Sequence, residues 1–200
     1  MARIVQKQNT TVRMANWYTR RSYGRDTEIA GVMAHSLPDL LGYGTFEFLH
    51  ERRRSTDEKL LALAGTKAAC LIGCQFCIDI GSHISREAGV TEDQLRNLHS
   101  YRESPAFSAE ERLVLEYAEE MCQIPVAISD ELFARLREHF DEEQIVELTA
   151  SIAIENLRSR FNNALDVEPA GFSEGLYCPM PEAAPAAAPA DTHSEERTIA

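Results

Sequence analysis

Two cysteines three residues apart, Cys74 and Cys77 in the run Gly73-Cys-Gln-Phe-Cys-Ile-Asp-Ile-Gly81-Ser-His83, carry the clearest potential for covalent chemistry in this chain. On a helix, positions i and i+3 share a face and lie within disulfide reach. A cysteine in the first turn also meets unsatisfied N–H groups and the positive end of the helix dipole, which favour its thiolate. Such a pair suits a dithiol that cycles to a disulfide and back. The spacing is equally compatible with packing, because Cys70, Cys74 and Cys77 repeat at i, i+4 and i+7 as small apolar residues on an inner stripe would. A zinc site built from Cys70, Cys74, Cys77 and His83 fails on angle: on a continuous helix His83 faces away from both thiols, and no second Cys-x-x-Cys supplies further ligands. No metal or other cofactor is therefore expected.

The elements that must hold this pair are helices. Ser55 with Glu58, Thr91 with Gln94, Ser108 with Glu111 and Asp141 with Gln144 each place a capping oxygen three residues before an acid or amide, just ahead of an apolar-periodic run. Strand-like alternation of β-branched residues does not persist anywhere, so the reading is all-α. Helices are expected over 27–35, 38–53, 56–72, 74–88, 92–99, 109–122, 130–139 and 142–165. The last is apolar on two sides: Ile145, Leu148 and Ile152 share one stripe, and Ile154, Leu157, Phe161 and Leu165 share another. Such a helix is sandwiched within a bundle or carries a subunit interface, and a homo-oligomer is expected. Glu155 projects onto the first stripe, so it either turns to solvent, pairs with Arg158 or Arg160, or does chemistry.

A net charge of -12 over 200 residues, with 44% apolar content, fits one globular domain. The acidity opposes binding to phosphate backbones, and no stretch approaches the ~20 apolar residues that span a bilayer. Neither a nucleic-acid nor a membrane partner is expected. Residues 1–25 form a basic arm with six Lys or Arg and no acid, whereas residues 55–200 carry eleven bases against 27 acids. That arm is expected to dock on its own body or a sister subunit. Residues 26–175 are read as one helical domain, and 178–200, rich in Pro and Ala, as a disordered tail. The N-terminus lacks a secretory apolar region, and five cysteines are an odd number for a disulfide framework, so a cytoplasmic protein is expected.

Residues 20–175 resemble the carboxymuconolactone decarboxylase superfamily, in particular its alkylhydroperoxidase D-like branch. The resemblance rests on Arg-Arg-Ser-Tyr-Gly-Arg (20–25), Ala-His-Ser-Leu-Pro (34–38), Leu-Gly-Tyr-Gly (41–44), the helix pair from Lys67 to Gly89 around Cys-Gln-Phe-Cys, and Glu-Asn-Leu-Arg-Ser-Arg-Phe-Asn-Asn-Ala-Leu (155–165). It implies a compact, oligomeric bundle of about six to eight helices and thiol-dependent reduction of organic hydroperoxides. In that scheme Cys77 attacks the peroxide to give a sulfenic acid, Cys74 resolves it as a disulfide, and an external dithiol donor restores the pair.

The chain departs from the pattern at the proton relay. The family places a His four residues after the second cysteine and a Glu twelve residues before the first, where this chain has Gly81 and Ala62. Substitutes for the relay are Glu58, Glu155 and His35, for each of which a surface or capping role is the alternative. Cys122 and Cys178 receive no role. Two other functions stay open: a lactone decarboxylase drawing on Arg158 and Arg160, and a non-catalytic, redox-responsive oligomer.

Overall fold

The computed structural model describes residues 2–50, 52, 55–177 and 179. Among these there are nine α-helices, one 3-10 helix and no strand: α1 (Thr10–Tyr23), α2 (Ile29–Met33), α3 (Leu37–His50), α4 (Glu58–Ile72), α5 (Gln75–Glu87), α6 (Glu92–Arg96), a 3-10 turn (Leu98–Ser100), α7 (Ala109–Met121), α8 (Asp130–His139) and α9 (Glu142–Leu165). Three of the expected capping boxes form, with Thr91, Ser108 and Asp141 each bonded reciprocally to the residue three positions on. The fourth does not. Glu147 of α9 draws off the N–H groups of Ser55 and Thr56 (3.0 and 2.8 Å), and Asp57 caps α4 instead through Lys59 N. Helix α1 has no counterpart in the sequence reading. Its cap, Asn9, bonds Val12 N, but Val12 occupies the position where a capping box needs an acid or amide. Cys178 and residues 180–200, most of the expected tail, lie outside the described residues.

Helix α4 is the axis of the bundle, packed along α5, α7 and α9. Its Leu60, Leu61, Ala64 and Ala68 join Val114, Leu132, Leu148 and Ile152 in one buried cluster. Leu63, Ala69 and Cys70 face the other, with Cys74, Cys77, Leu95 and Phe172. The first stripe of α9 is therefore covered by the chain itself. On the second stripe Ile154 is buried, whereas Leu157 stays exposed.

The turn between α4 and α5 positions the dithiol. Gly73 stands at φ +78°, a left-handed conformation that suits glycine, and its N–H and that of Cys74 return to the Ala69 carbonyl (2.9 and 3.1 Å). The chain thus reverses in two residues, and Cys74 becomes the N-cap of α5. Further along, α4 and α5 approach closely at Gly81, where the Thr66 and Ser85 hydroxyls meet at 2.9 Å. The segment after α9 folds back over α5: buried Asp79 accepts N–H bonds from Gly171 (2.8 Å), Phe172 (3.0 Å) and Ser173 (2.7 Å).

The basic arm lies on this body. Arg3 N donates to Leu165 O (2.8 Å), Lys7 N to Gly31 O (3.0 Å), and Arg25 pairs with Glu174 (3.0 Å).

Candidate functional site: a buried dithiol beside a buried carboxylate

Cys74 and Cys77 are 1% and 4% exposed, so the pair is buried under its neighbours. As N-cap, Cys74 uses its sulfur where Ser or Asp would use oxygen, accepting the N–H of Cys77 at 3.2 Å. The Cys77 thiol donates to the same sulfur, holding the Cys74 thiol below its usual range; burial opposes this and the Cys77 N–H assists it. The reciprocal effect, reinforced by burial, pushes Cys77 up. Of the two thiols Cys74 therefore ionises the more readily, at a helix end that supports negative charge.

Helix α9 brings the third group. Glu155 is 6% exposed, and its carboxylate lies beside the dithiol, where its charge raises both Cys74 and Cys77. Burial raises Glu155 above the ordinary carboxyl range, against the charge of Arg158 and the hydrogen bonds it receives. One turn on, Ser159 Oγ donates to Glu155 Oε1 (2.8 Å); two turns on, Asn162 Nδ2 donates to Cys77 Sγ (3.3 Å). Residues 155, 159 and 162 form a polar stripe at i, i+4 and i+7 on a buried helix face. That periodicity was available in the sequence, and it would have singled out Ser159 and Asn162, which a search for His and Glu relays overlooks.

The other substitutes for the relay lie elsewhere. Glu58 is exposed in the first turn of α4, roughly 20 Å along the axis from the Gly73 turn. His35 is exposed, its Nε2 bonded to the carbonyl of Val5 (2.8 Å), where it fastens the N-terminal arm. His83 faces Phe172 and pairs with Glu87 (3.6 Å). Cys122 is half-buried and accepts from Asn156 Nδ2 (3.3 Å). Among the described residues no group of three or more His, Cys, Asp or Glu side chains could hold a metal ion, and no helix is long and apolar enough to cross a membrane.

The space beside Gly81 is tight: a Cβ there would stand 3.1 Å from Thr66 Oγ1, so that hydroxyl would have to give by a few tenths of an ångström.

Arg158 binds carboxylates of its own chain. Its Nε meets Glu47 Oε1 (2.6 Å), its Nη2 meets Glu47 Oε2, and its Nη1 meets Glu155 Oε2 (3.2 Å). Glu47 comes from α3, together with Tyr43, whose hydroxyl is raised by burial and by the charge of Glu47.

A helix pair joined by a glycine turn, with a buried Cys-x-x-Cys at the start of its second member and a long third helix across it, is the alkylhydroperoxidase D-like helical fold. Residues 39–120 match the carboxymuconolactone decarboxylase family. The uncharacterized protein YnjA of Escherichia coli (strain K12) is 39% identical over 135 residues, which cover 68% of this chain and 71% of that protein. The chain belongs to the carboxymuconolactone decarboxylase family. Among solved structures, a peroxidase-related protein from Silicibacter sp. TM1040 superposes with a TM-score of 0.77 at 14% identity, covering 88% of this chain and 95% of its own. The debrominase Bmp8 gives 0.74 at 19% identity, over 84% and 91%. At these identities the likeness is one of fold.

Proposed function

We propose that the protein is a thiol-dependent peroxidase that reduces organic hydroperoxides through a Cys74–Cys77 dithiol–disulfide cycle, with Glu155 as the proton acceptor. The observation that carries this reading is the placement of the buried Glu155 carboxylate beside the buried dithiol, close enough for its charge to act on both thiols. A carboxyl raised by burial is a stronger base than a solvated one, and it stands where the local sequence offers Cys77 no base. Glu155 takes the Cys77 proton, and the thiolate attacks the distal peroxide oxygen. The O–O bond breaks, the alkoxide leaves as the alcohol with the proton returned from Glu155, and Cys77 becomes a sulfenic acid. Cys74 attacks that sulfur as its thiolate, the hydroxide takes up the proton that Cys74 gave up and leaves as water, and the disulfide forms. An external dithiol reduces it. Because both sulfurs are buried, the peroxide reaches them only through a local opening.

The test is steady-state consumption of cumene hydroperoxide with dithiothreitol as reductant. Wild type should turn over, Cys77→Ser should not, and Cys74→Ser should consume a single equivalent. Absence of turnover in wild type under reducing conditions would favour the second reading, a redox-responsive protein without catalysis, for which burial of the pair is the supporting observation. The decarboxylase alternative needs arginines free to bind a substrate anion. Arg158 is instead held by two carboxylates, and Arg160 lies exposed with its guanidinium on Asn156.

Self-association belongs to the same reading. No residue of α3 is buried, and Leu37, Leu41, Phe46, Phe48 and Leu49 all stand exposed on it, an apolar surface suited to a second copy of the chain.

A further inference from the structure

The guanidinium of Arg158 lies between two carboxylates from different parts of the fold. It presents its Nε and Nη2 edge to Glu47 in the bidentate manner and only one corner, Nη1, to Glu155 at 3.2 Å. Glu47 belongs to α3, which packs on the short helix α2 and reaches α9 through the Glu47–Arg158 pair. The geometry points to Glu47 and Arg158 as positioning residues that determine how much of the guanidinium's charge Glu155 receives, so that the placement of α3 sets the protonation of Glu155.

With both carboxylates ionised, one cation serves two anions in a buried setting. Burial raises Glu47, but Arg158's hydrogen bonds and charge bring it below the ordinary range, whereas burial keeps Glu155 above it. The two acids are thus driven apart, and Glu47 holds most of the cation. If Glu47 loses its charge, Arg158 serves Glu155 alone and the carboxylate is stabilised. If Arg158 loses its charge, a half-buried and a buried carboxylate lie together without a cation and Glu155 is protonated more readily.

The other groups around Glu155 do not remove this dependence. Helix α5 presents Cys74 and Cys77, and α9 itself presents Ser159. Helix α3 adds Tyr43, whose hydroxyl is raised by burial and by Glu47. From α4, Lys67 turns away to pair with Glu119 of α7 (3.4 Å), and Cys122 beyond α7 is occupied with Asn156. Helix α8 meets α9 at its first turn, through Arg137 and Glu142 (3.6 Å).

The inference rests on Glu155 as the proton acceptor only for its bearing on rate; protonation is measured directly. In the full-length protein, the infrared band of a protonated carboxylic acid is followed against pH and assigned to Glu155 by its loss in Glu155→Gln. Glu47→Gln should move the midpoint down and Arg158→Gln should move it up. Glu47→Asp should restore it toward wild type. A displacement of one pH unit corresponds to a tenfold change in the protonated-to-ionised ratio. If Arg158→Gln fails to fold, judged by helical circular dichroism, the fall in Glu47→Gln and its restoration in Glu47→Asp decide the matter. Shifts of the same sign in both Gln variants, or no shift in Glu47→Gln, would overturn the inference. Opposite infrared shifts with an unchanged pH profile for the oxidation of Cys77 by cumene hydroperoxide would sustain it while removing Glu155 as the base.

Discussion

The side-chain amide of Asn162 donates a hydrogen bond to Cys77 Sγ at 3.3 Å, although 85 positions separate the two residues along the chain. A sulfur at the start of one helix is thereby registered against a face of another. That face, with Ser159 and Glu155 one and two turns earlier, brings an amide donor to the thiol and a buried carboxylate, itself bonded by Ser159, to its side.

Loss of that base should slow the chemistry without weakening the fold. Glu155→Gln is expected to lower the rate of hydroperoxide consumption by roughly 10²–10⁴-fold, the range of general-base contributions. An unchanged rate constant for Cys77 oxidation would remove Glu155 from the mechanism.

The same variant should alter the pH dependence of stability. Burial raises the folded-state Glu155 carboxyl above its unfolded value of about 4.3, so its favourable contribution is complete below that value and is lost as pH rises through the folded value. Glutamine carries no such dependence. Stability of Glu155→Gln relative to wild type should therefore increase with pH across that window, as read by denaturant unfolding at several pH values. Relative stability moving the opposite way would show that the ionised form is the one the fold prefers.

Cys74 serves both as a cap and as a thiol, and two substitutions separate these roles. Serine retains a capping acceptor, so Cys74→Ser should leave thermal stability close to wild type, whereas Cys74→Ala should cost about 1 kcal/mol. Neither should complete the catalytic cycle. Equal loss of stability in both variants would mean that the contact from Cys77 N does not support the helix.

Placing the family's imidazole at position 81 should not restore a relay. With Thr66 Oγ1 at 3.1 Å from a Cβ at that position, the ring of Gly81→His overpacks the α4–α5 crossing, at an expected cost of about 1–3 kcal/mol. Adding Ala62→Glu should not rescue it. The reading is checked by the melting temperature together with the pH profile; a stable variant with a lowered apparent pKa of activity would contradict it.

Charge on α3 should oppose self-association. Leu41→Glu with Phe48→Glu places two carboxylates on the exposed apolar face, and sedimentation should show a species of lower mass than wild type. A wild type that already sediments at 22.4 kDa would assign that face no part in self-association.

Much of this architecture was legible in the residues. Helix starts at Thr91, Ser108 and Asp141 were readable because a capping box is a local exchange of hydrogen bonds, complete within four residues. The dithiol was readable for the same reason: Gly73, Cys74 and Cys77 build their turn and cap from neighbours in sequence. Helix α1 was not, because its Asn9 cap lacks the second half of the signal. Ser55 misled, because a distant residue, Glu147, competed for its N–H.

Glu155 marks where local reading stops. Its helical position and its place on a buried stripe follow from the periodicity of residues 142–165, but periodicity fixes only an angle around an axis. Which of Glu58, His35 and Glu155 meets the thiols depends on how α9 crosses α4 and α5, and that is decided by the side chains packed between them. Packing brings Glu155, Ser159 and Asn162 to the dithiol, leaves Glu58 exposed at the far end of α4, and sets Thr66 Oγ1 against Gly81. It also puts Glu47, from a helix with no buried residue, on Arg158. The sequence by itself determined the helices and the Cys-x-x-Cys turn, because their interactions are local; the buried carboxylate beside the pair came from long-range packing, which only the tertiary structure decided.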